Sequence, residues 1–257
     1  MSPELFVLFF FVALLYASAG FGGGSSYLAI MGLWGVEMHV MRTTSLLCNM
    51  VVVGGGSWLF WRSGYLNTRR IALLCVSSVP CAFAGGAVPL REKTFFILLG
   101  GSLVVAAFLM FFQGKQVLSD GPVDPAKAFD KYRRVRKPFV AGLTGGGIGF
   151  LSGMVGIGGG IFLSPLLHLL RWATPKEIAA TASFFILVNS VAGLLGQWWQ
   201  HRLQFDPSFA LPLMVAVLAG GQAGSRLSAL RLHQRQVRVV TALLILYAGI
   251  SILWSQL

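Results

Sequence analysis

Ten apolar segments separated by short polar stretches make up most of this 257-residue chain. Several of them reach the roughly 20 residues that an α-helix needs to cross the hydrocarbon layer of a bilayer. The pattern therefore predicts an all-α, polytopic membrane protein. The predicted segments lie at approximately 5–19, 25–36, 43–61, 71–90, 94–112, 139–155, 161–170, 177–199, 207–230 and 237–256.

Two longer apolar stretches, 5–36 and 139–170, are each interrupted by glycines. Each stretch is too long for one straight span, and each of its halves is too short for an ordinary one. Irregular backbone is tolerated at membrane depth only where it is buried in protein or lines a cavity. Each stretch is therefore predicted to be a broken helix or a re-entrant hairpin.

The glycine breaks recur at a constant spacing. The triplet at 22–24, within SAGFGGGSS, matches the triplet at 158–160, within SGMVGIGGGIFLSP, 136 residues later. The next helix starts with TTS at 43–45 in the first copy and with TAS at 181–183 in the second. The chain is therefore predicted to contain two tandem membrane repeats.

The repeats are predicted to be 1–113 and 139–257, each with a glycine-broken helix pair followed by three transmembrane helices. A linker at 114–138 joins them and ends in the basic run KYRRVRKP. This run is interpreted as an orientation determinant next to anionic lipid, with a regulatory role as the alternative.

The distribution of Lys and Arg favours re-entrant segments. If both broken segments return to their own side, six full spans remain, and one side of the membrane collects 16 of the 20 basic residues. If each broken segment crosses once, the division is nearly flat. The positive-inside rule then places the linker inside and both termini outside. Each repeat would cross three times, so the second repeat is predicted to be inverted relative to the first.

Composition limits the classes of function. Hydrophobic residues account for 56% of the chain, charged residues for 11%, and the mean hydropathy is +0.75. The net charge is +12, and the basic residues lie mostly between apolar spans. They therefore indicate membrane topology, and no nucleic-acid partner is expected. The three cysteines form no CxxC motif, and there is no HExxH motif or clustered set of His and carboxylates. Neither a metal nor another cofactor is predicted.

The glycine triplets suit the binding of an anion. The first N–H groups of a helix lack internal partners and lie at the positive end of its dipole, and glycine lets an oxyanion approach them closely. Two such helix starts that met near the membrane centre would hold one oxyanion. The alternative is that the glycines only allow close helix packing. That role is assigned here to Gly54, Gly55, Gly56, Gly100 and Gly101.

Polar residues inside the apolar segments complete the candidate site, because unpaired polar groups are costly there. Hydroxyl groups can also bond to their own helix, so this alternative stays open for them. Arg42 is expected at the membrane interface, with attraction of anions at the outer mouth as its alternative role. The predicted substrate-binding residues are Gly22, Gly23, Gly24, Ser25, Ser26, Thr43, Thr44, Ser45, Asn49, Gly158, Gly159, Gly160, Thr181, Ser183, Asn189 and Gln197.

The duplicated GxGGG motif, the sequence GIGGGIFLSP in the second copy, and the TTS and TAS helix starts together resemble the TauE/SafE family of sulfite exporters. The resemblance implies a multi-pass protein of the bacterial cell inner membrane, with both termini in the periplasm under the topology above. It also implies secondary transport, as an exporter, of a small anion such as sulfite, a sulfoacetate-like sulfonate or a small carboxylate. The expected partners are this anion and the lipid bilayer. Coupling to a proton or a sodium ion, and the oligomeric state, are left open.

Two other classes of function remain as alternatives. A non-transporting accessory or scaffold membrane protein has no need of two matched helix breaks. An intramembrane hydrolase would pair Ser152 or Ser164 with His168 or His201, but the chain has no GxSxG motif. The sequence therefore predicts a transporter and not an enzyme.

Overall fold

The structure is a computed structural model that describes residues 3–18, 21–119, 138–170, 172–227 and 234–256. Within these ranges it contains ten helices and no strand, which confirms the predicted all-α fold. The helices are α1 (Pro3–Ser18), α2 (Gly24–Leu33), α3 (Met38–Arg62), α4 (Thr68–Ala87), α5 (Glu92–Ser119), α6 (Pro138–Val155), α7 (Gly160–Leu169), α8 (Pro175–Trp199), α9 (Pro207–Leu227) and α10 (Gln234–Trp254).

Four helices, α3, α5, α8 and α9, are long and apolar enough to cross a membrane. The other described helical stretches are apolar but shorter. Helices α2 and α7 have 10 residues each. At 1.5 Å per residue each is about 15 Å long, half of a hydrocarbon layer of roughly 30 Å. The long helices and the short apolar ones together confirm a multi-pass membrane protein.

The predicted linker is partly helical, because α5 continues to Ser119 and α6 begins at Pro138. The basic run KYRRVRKP lies at the C-terminal end of this linker, and its residues up to 137 are outside the described part of the chain. The division into two repeats with a separate linker therefore stays a prediction.

Glycines bring α4 and α6 into close contact along their length. A Cβ atom added to any of three glycines of α6 would collide with a backbone carbonyl of α4. The contacts advance in the same direction along both helices, which therefore run parallel. The three pairs are Gly145 with Leu74, Gly149 with Ser78, and Gly153 with Ala82. Small residues commonly allow such close approach of two helix backbones in membrane proteins.

Helices α1 and α9 repeat this arrangement. Gly220 packs against the carbonyl of Phe10, and Gly224 packs against the carbonyl of Leu14, so these helices are also parallel. The first helix of each predicted repeat thus lies along the fourth helix of the other. This reciprocal packing is what two related halves would produce, although their inverted relation stays a prediction.

The second broken segment turns back on itself. Ala141, near the start of α6, and Leu167, near the end of α7, belong to one buried apolar cluster. Trp172 and Ile178, at the start of α8, belong to the same cluster. Helices α6 and α7 therefore form a hairpin whose two ends lie on one side of the molecule.

Helices α3 and α8 run antiparallel through the centre. Thr43, near the start of α3, donates a hydrogen bond of 3.0 Å to Gln197 Oε1, near the end of α8. At the other end Lys176 Nζ of α8 donates to Tyr65 Oη, just beyond α3, at 3.4 Å. This pair places the middle of α3 beside the middle of α8, next to both helix breaks.

The packing role assigned to the glycines at 54–56 and 100–101 is wrong for three of them. A Cβ atom added to Gly54, Gly56 or Gly101 would have no other atom within 4 Å, so these positions face open space. At Gly100 the added Cβ would lie 3.0 Å from the carbonyl oxygen of Gly249, which is a close helix contact. Sequence alone does not show whether a glycine in a helix faces a neighbouring helix or open space.

Candidate functional site

The two short helices begin with the same backbone geometry. Gly23 is the N-cap of α2 with φ 86° and ψ 0°, and Gly159 is the N-cap of α7 with φ 83° and ψ −13°. This is the left-handed region, which glycine adopts at little cost and most other residues avoid. No side chain of the described residues caps either helix. The middle glycine of each triplet is thus required by the backbone.

The first residues of both short helices line one cavity. Gly24 and Ser25 open α2, and Gly160 and Ile161 open α7, so their N–H groups have no acceptor within their own helix. All four residues line the cavity. Each helix start carries the positive end of a helix dipole, so the cavity has donors and partial positive charge on two sides.

The cavity itself is small and its wall is largely apolar. Its volume is about 20 Å³, which is room for about one water molecule. Its largely apolar wall includes Tyr16, Phe21, Met110, Pro165 and Ile186. A polar ligand in this space would find its hydrogen-bond donors at the two helix starts and on α3.

Asn49 of α3 lies between the two breaks. Its side chain is fully buried, and its Nδ2 donates a hydrogen bond of 3.0 Å to the carbonyl of Ile157. Its Oδ1 has no hydrogen-bond partner among the described residues. A Cβ atom added to Gly22 would come within 2.6 Å of this oxygen. Asn49 therefore links α3 to the second break by a hydrogen bond and places its Oδ1 beside the first break.

Ser45, one helical turn before Asn49, holds the backbone of both breaks. Its Oγ lies 3.0 Å from the carbonyl of Gly24 and 3.1 Å from the carbonyl of Gly156, and its single proton serves both. The hydroxyl thus links the first helix start to the turn that precedes the second. In the first half, Ser26 Oγ pairs with Tyr16 Oη at 2.7 Å, so this hydroxyl supports the wall of the cavity.

The structure brings together one part of the predicted site. Eight of the predicted residues line the cavity or bond directly to residues that line it. They are Gly22, Gly23, Gly24, Ser25, Ser26, Ser45, Asn49 and Gly160. Their role in binding substrate stays a prediction, but their convergence on one cavity makes that role testable.

The other predicted residues do not themselves line the cavity. Gly158 has φ 83°, and it packs behind the lining residues Asn49 and Ile186 and next to Ser190. Thr181 Oγ1 donates to the carbonyl of Glu177 in its own helix at 2.8 Å, which is the local alternative for a hydroxyl. Further members of this group are the N-cap Gly159, the buried Thr44, Ser183 and Asn189, and the bonded pair Thr43 and Gln197.

The expectation that Arg42 lies at the membrane interface is wrong. Its side chain has 0% exposure, because the C-terminal ends of α4 and α6 pack over the second turn of α3. Its Nη2 donates to the carbonyls of Gly86 and Gly153 at 3.3 and 3.2 Å. The predicted segment began after Arg42, whereas α3 begins at Met38, and this difference places the arginine inside the helix.

None of the Ser–His pairs of the hydrolase alternative is formed within the described residues. His168 Nδ1 lies 2.9 Å from the backbone carbonyl of Ser164, not from its hydroxyl. Ser152 Oγ and Ser164 Oγ are buried without a hydrogen-bond partner there, and His201 is exposed.

Comparison with known proteins gives consistent matches. The family model "Sulfite exporter TauE/SafE" matches residues 5–252. The "Probable membrane transporter protein y4hK" of Sinorhizobium fredii (strain NBRC 101917 / NGR234) is 32% identical over 256 residues, which cover 97% of each chain. The "Probable membrane transporter protein YunE" of Bacillus subtilis (strain 168) is 25% identical over 108 residues, 42% of this chain and 38% of that protein. No solved structure matches the chain.

Proposed function

This chain belongs to the Sulfite exporter TauE/SafE family, and from that premise we propose that it is a secondary transporter that exports a small oxyanion. The names of the family and of its relatives indicate a membrane transporter rather than an enzyme. The proposed substrates are sulfite, a sulfoacetate-like sulfonate or a small carboxylate. The anion is held where α2 and α7 begin, in the bacterial inner membrane.

One observation carries this proposal: the opening residues of two helices from different halves of the chain line the same cavity, and their N–H groups have no acceptor within their own helix. A pair of uncapped helix starts supplies several N–H donors and two positive dipole ends to one anion. The buried amide group of Asn49 provides a further polar contact beside them. A packing role alone gives no reason for the first amides of both helices to line one space.

Backbone amides suit transport because they replace the water around an anion without a full fixed charge in the cavity. A fully charged side chain at low dielectric would bind the anion strongly and slow its release. Amides and dipole ends offer a weaker attraction, shared over several donors. The substrate therefore exchanges its hydration shell for N–H groups and can still leave.

The cavity must widen to take up such an anion, because a trigonal oxyanion is larger than the single water that its volume of about 20 Å³ admits. Helices α2 and α7 have 10 residues each and end in loops. We expect these short helices to move apart when the site is occupied and to open it to one side of the membrane at a time. Alternating access of this kind is typical of transporters with broken helices.

The proposal is tested by transport into liposomes that contain the purified full-length chain. Vesicles preloaded with unlabelled sulfite are diluted into buffer with radiolabelled sulfite, and counterflow is followed over time. Methanesulfonate, sulfoacetate, acetate and sulfate are then added as competitors. Counterflow that competes with at least one small sulfonate or carboxylate supports the proposal. Folded protein that exchanges none of these anions refutes it and leaves the accessory function.

A further inference from the structure

Arg42 is a buried cation with unused hydrogen-bonding capacity. Its Nη2 is occupied by the carbonyls of Gly86 and Gly153, while its Nε and Nη1 have no partner among the described residues. A guanidinium carries five N–H donors and no acceptor, so three of them remain unpaired on these two nitrogens. These donors are available to an acceptor that the described chain does not supply.

The charge of Arg42 is also uncompensated. Within the described ranges no carboxylate pairs with it, and the charged residue that acts on it is another cation, Arg202. A buried charge is costly unless it is paired, and two carbonyl dipoles neutralise it only in part. Such a group is stabilised when an anion comes to it.

Arg42 lies on the same face of α3 as Ser45, which bonds to the lining residue Gly24, and Asn49, which lines the cavity. Ser45 follows it by three residues and Asn49 by seven, so all three side chains share one face of the helix. The rise of an α-helix places Arg42 about 10 Å from Asn49 along the axis. It therefore lies between the cavity and the side of the protein where α3 begins.

A second donor lies at the same level. Thr43, the residue after Arg42, donates to Gln197 Oε1, and Gln197 Nε2 is buried without a partner in the described structure. The start of α3 and the end of α8 thus contribute a cation and an amide N–H group to one region. This accounts for two predicted site residues, Thr43 and Gln197, that do not line the central cavity.

The arrangement exists in one half of the chain only. The residue before TAS in the second half is Ala180, at the position that Arg42 occupies before TTS in the first. Ala180 is buried and carries no charge. The two ends of the central cavity are therefore chemically different.

We propose that Arg42, together with Gln197 Nε2, forms a second binding station for the transported oxyanion, between the central cavity and the face where α3 begins. This inference rests on the proposed function and adds a residue that the glycine site does not contain. The carbonyls of Gly86 and Gly153 weaken the positive charge, so that the station attracts the anion without holding it permanently. An anion that leaves the helix starts reaches Arg42 before it reaches water on that side.

The test uses Arg42→Gln, Arg42→Lys and the control Arg202→Gln in the purified full-length chain, with sulfite as the probe. For each variant the dissociation constant is measured by titration, the half-saturating concentration by counterflow, and the melting temperature without sulfite. We expect Arg42→Gln to raise the dissociation constant and the half-saturating concentration at least about tenfold. Arg42→Lys should recover part of this loss because it keeps the charge, and Arg202→Gln should change neither constant more than about twofold.

A purely structural role predicts other results. If Arg42 only clamps α4 to α6, then Arg42→Gln lowers the melting temperature without sulfite and leaves both constants unchanged. On our proposal the melting temperature without sulfite is unchanged or higher, because an uncompensated charge has left the interior. Equal impairment in Arg42→Gln and Arg42→Lys would also overturn the proposal, because charge would then not matter. Failure of the wild type to exchange any anion would refute the proposed function instead.

Discussion

The side-chain amide of Asn49 donates a hydrogen bond of 3.0 Å to the backbone carbonyl of Ile157, so a helix of the first half holds the helix break of the second. The cavity lies beside this bond, with the starts of α2 and α7 around it. An anion bound there would contact both halves at once. Movement of one half against the other would then change the site, which is the coupling that a transporter needs.

Replacement of Asn49 by Asp tests the charge preference of the cavity. The change removes the donor to Ile157 and places a carboxylate beside the two helix starts, where it repels an anionic substrate. We expect the half-saturating sulfite concentration in counterflow to rise at least about tenfold, which corresponds to roughly 1.4 kcal/mol. Asn67→Asp, in the exposed loop before α4, is the matched control and should transport normally. Normal transport by Asn49→Asp would remove Asn49 from the site.

Alanine at the two N-cap glycines tests the backbone requirement separately from transport. Gly23 and Gly159 have φ of 86° and 83°, and an added Cβ would lie 2.8 Å from Tyr27 Oη and 2.9 Å from Phe185. The left-handed conformation costs an alanine about 1–2 kcal/mol. We expect both variants to unfold at lower temperature than the wild type in a thermal melt. Gly54→Ala, where the added Cβ meets nothing within 4 Å, should melt normally.

Ser45→Ala tests the link between the breaks. Its hydroxyl contacts the carbonyls of Gly24 and Gly156, so its loss leaves two buried acceptors with one partner fewer. We expect a loss of about 1 kcal/mol in stability and a clear fall in sulfite counterflow. Ser102→Ala is the control, since the bond that Ser102 Oγ makes among the described residues is to the carbonyl of Leu99 in its own helix. Equal stability and equal counterflow of the two variants would show that the contacts of Ser45 with the two breaks are not needed for either.

Fusions to the C-terminus test the predicted topology. A Cβ atom added to Gly32, near the end of α2, would lie 3.4 Å from Cδ1 of Ile252, near the end of α10. These two helix ends therefore lie on the same side. The charge distribution predicts that this side is periplasmic. A C-terminal alkaline phosphatase should therefore be active and a C-terminal green fluorescent protein dark. The reverse result would place the 114–138 linker in the periplasm and contradict the topology.

The helix breaks could be predicted from sequence because they are local. Glycine triplets within apolar stretches of this length require an interruption, and α2 and α7 begin at Gly24 and Gly160, within one residue of the predicted starts. The duplicated spacing also predicted that the two breaks correspond. Their shared left-handed N-cap geometry is one that glycine adopts at little cost.

The contacts between distant helices could not be predicted in the same way. Arg42 next to an apolar segment looks interfacial, and only the packing of α4 and α6 over α3 buries it. Thr181 looked equivalent to Thr43, yet Thr181 bonds within its helix while Thr43 reaches Gln197. Such differences depend on which helix face meets which neighbour, and the apolar pattern of a membrane helix carries little information about that.

The central claim is that the anion binds at the two helix starts, and sulfite binding to Gly22→Ala tests it most directly. Gly22 lacks the left-handed backbone of Gly23, so alanine adds only a methyl group, directed at Asn49 Oδ1 and Val53 beside the cavity. Gly54→Ala is the matched control. Titration of the purified variants with sulfite should give a dissociation constant at least about tenfold higher for Gly22→Ala than for the wild type, with Gly54→Ala unchanged. Wild-type affinity in a folded Gly22→Ala protein would contradict the claim and place the anion elsewhere.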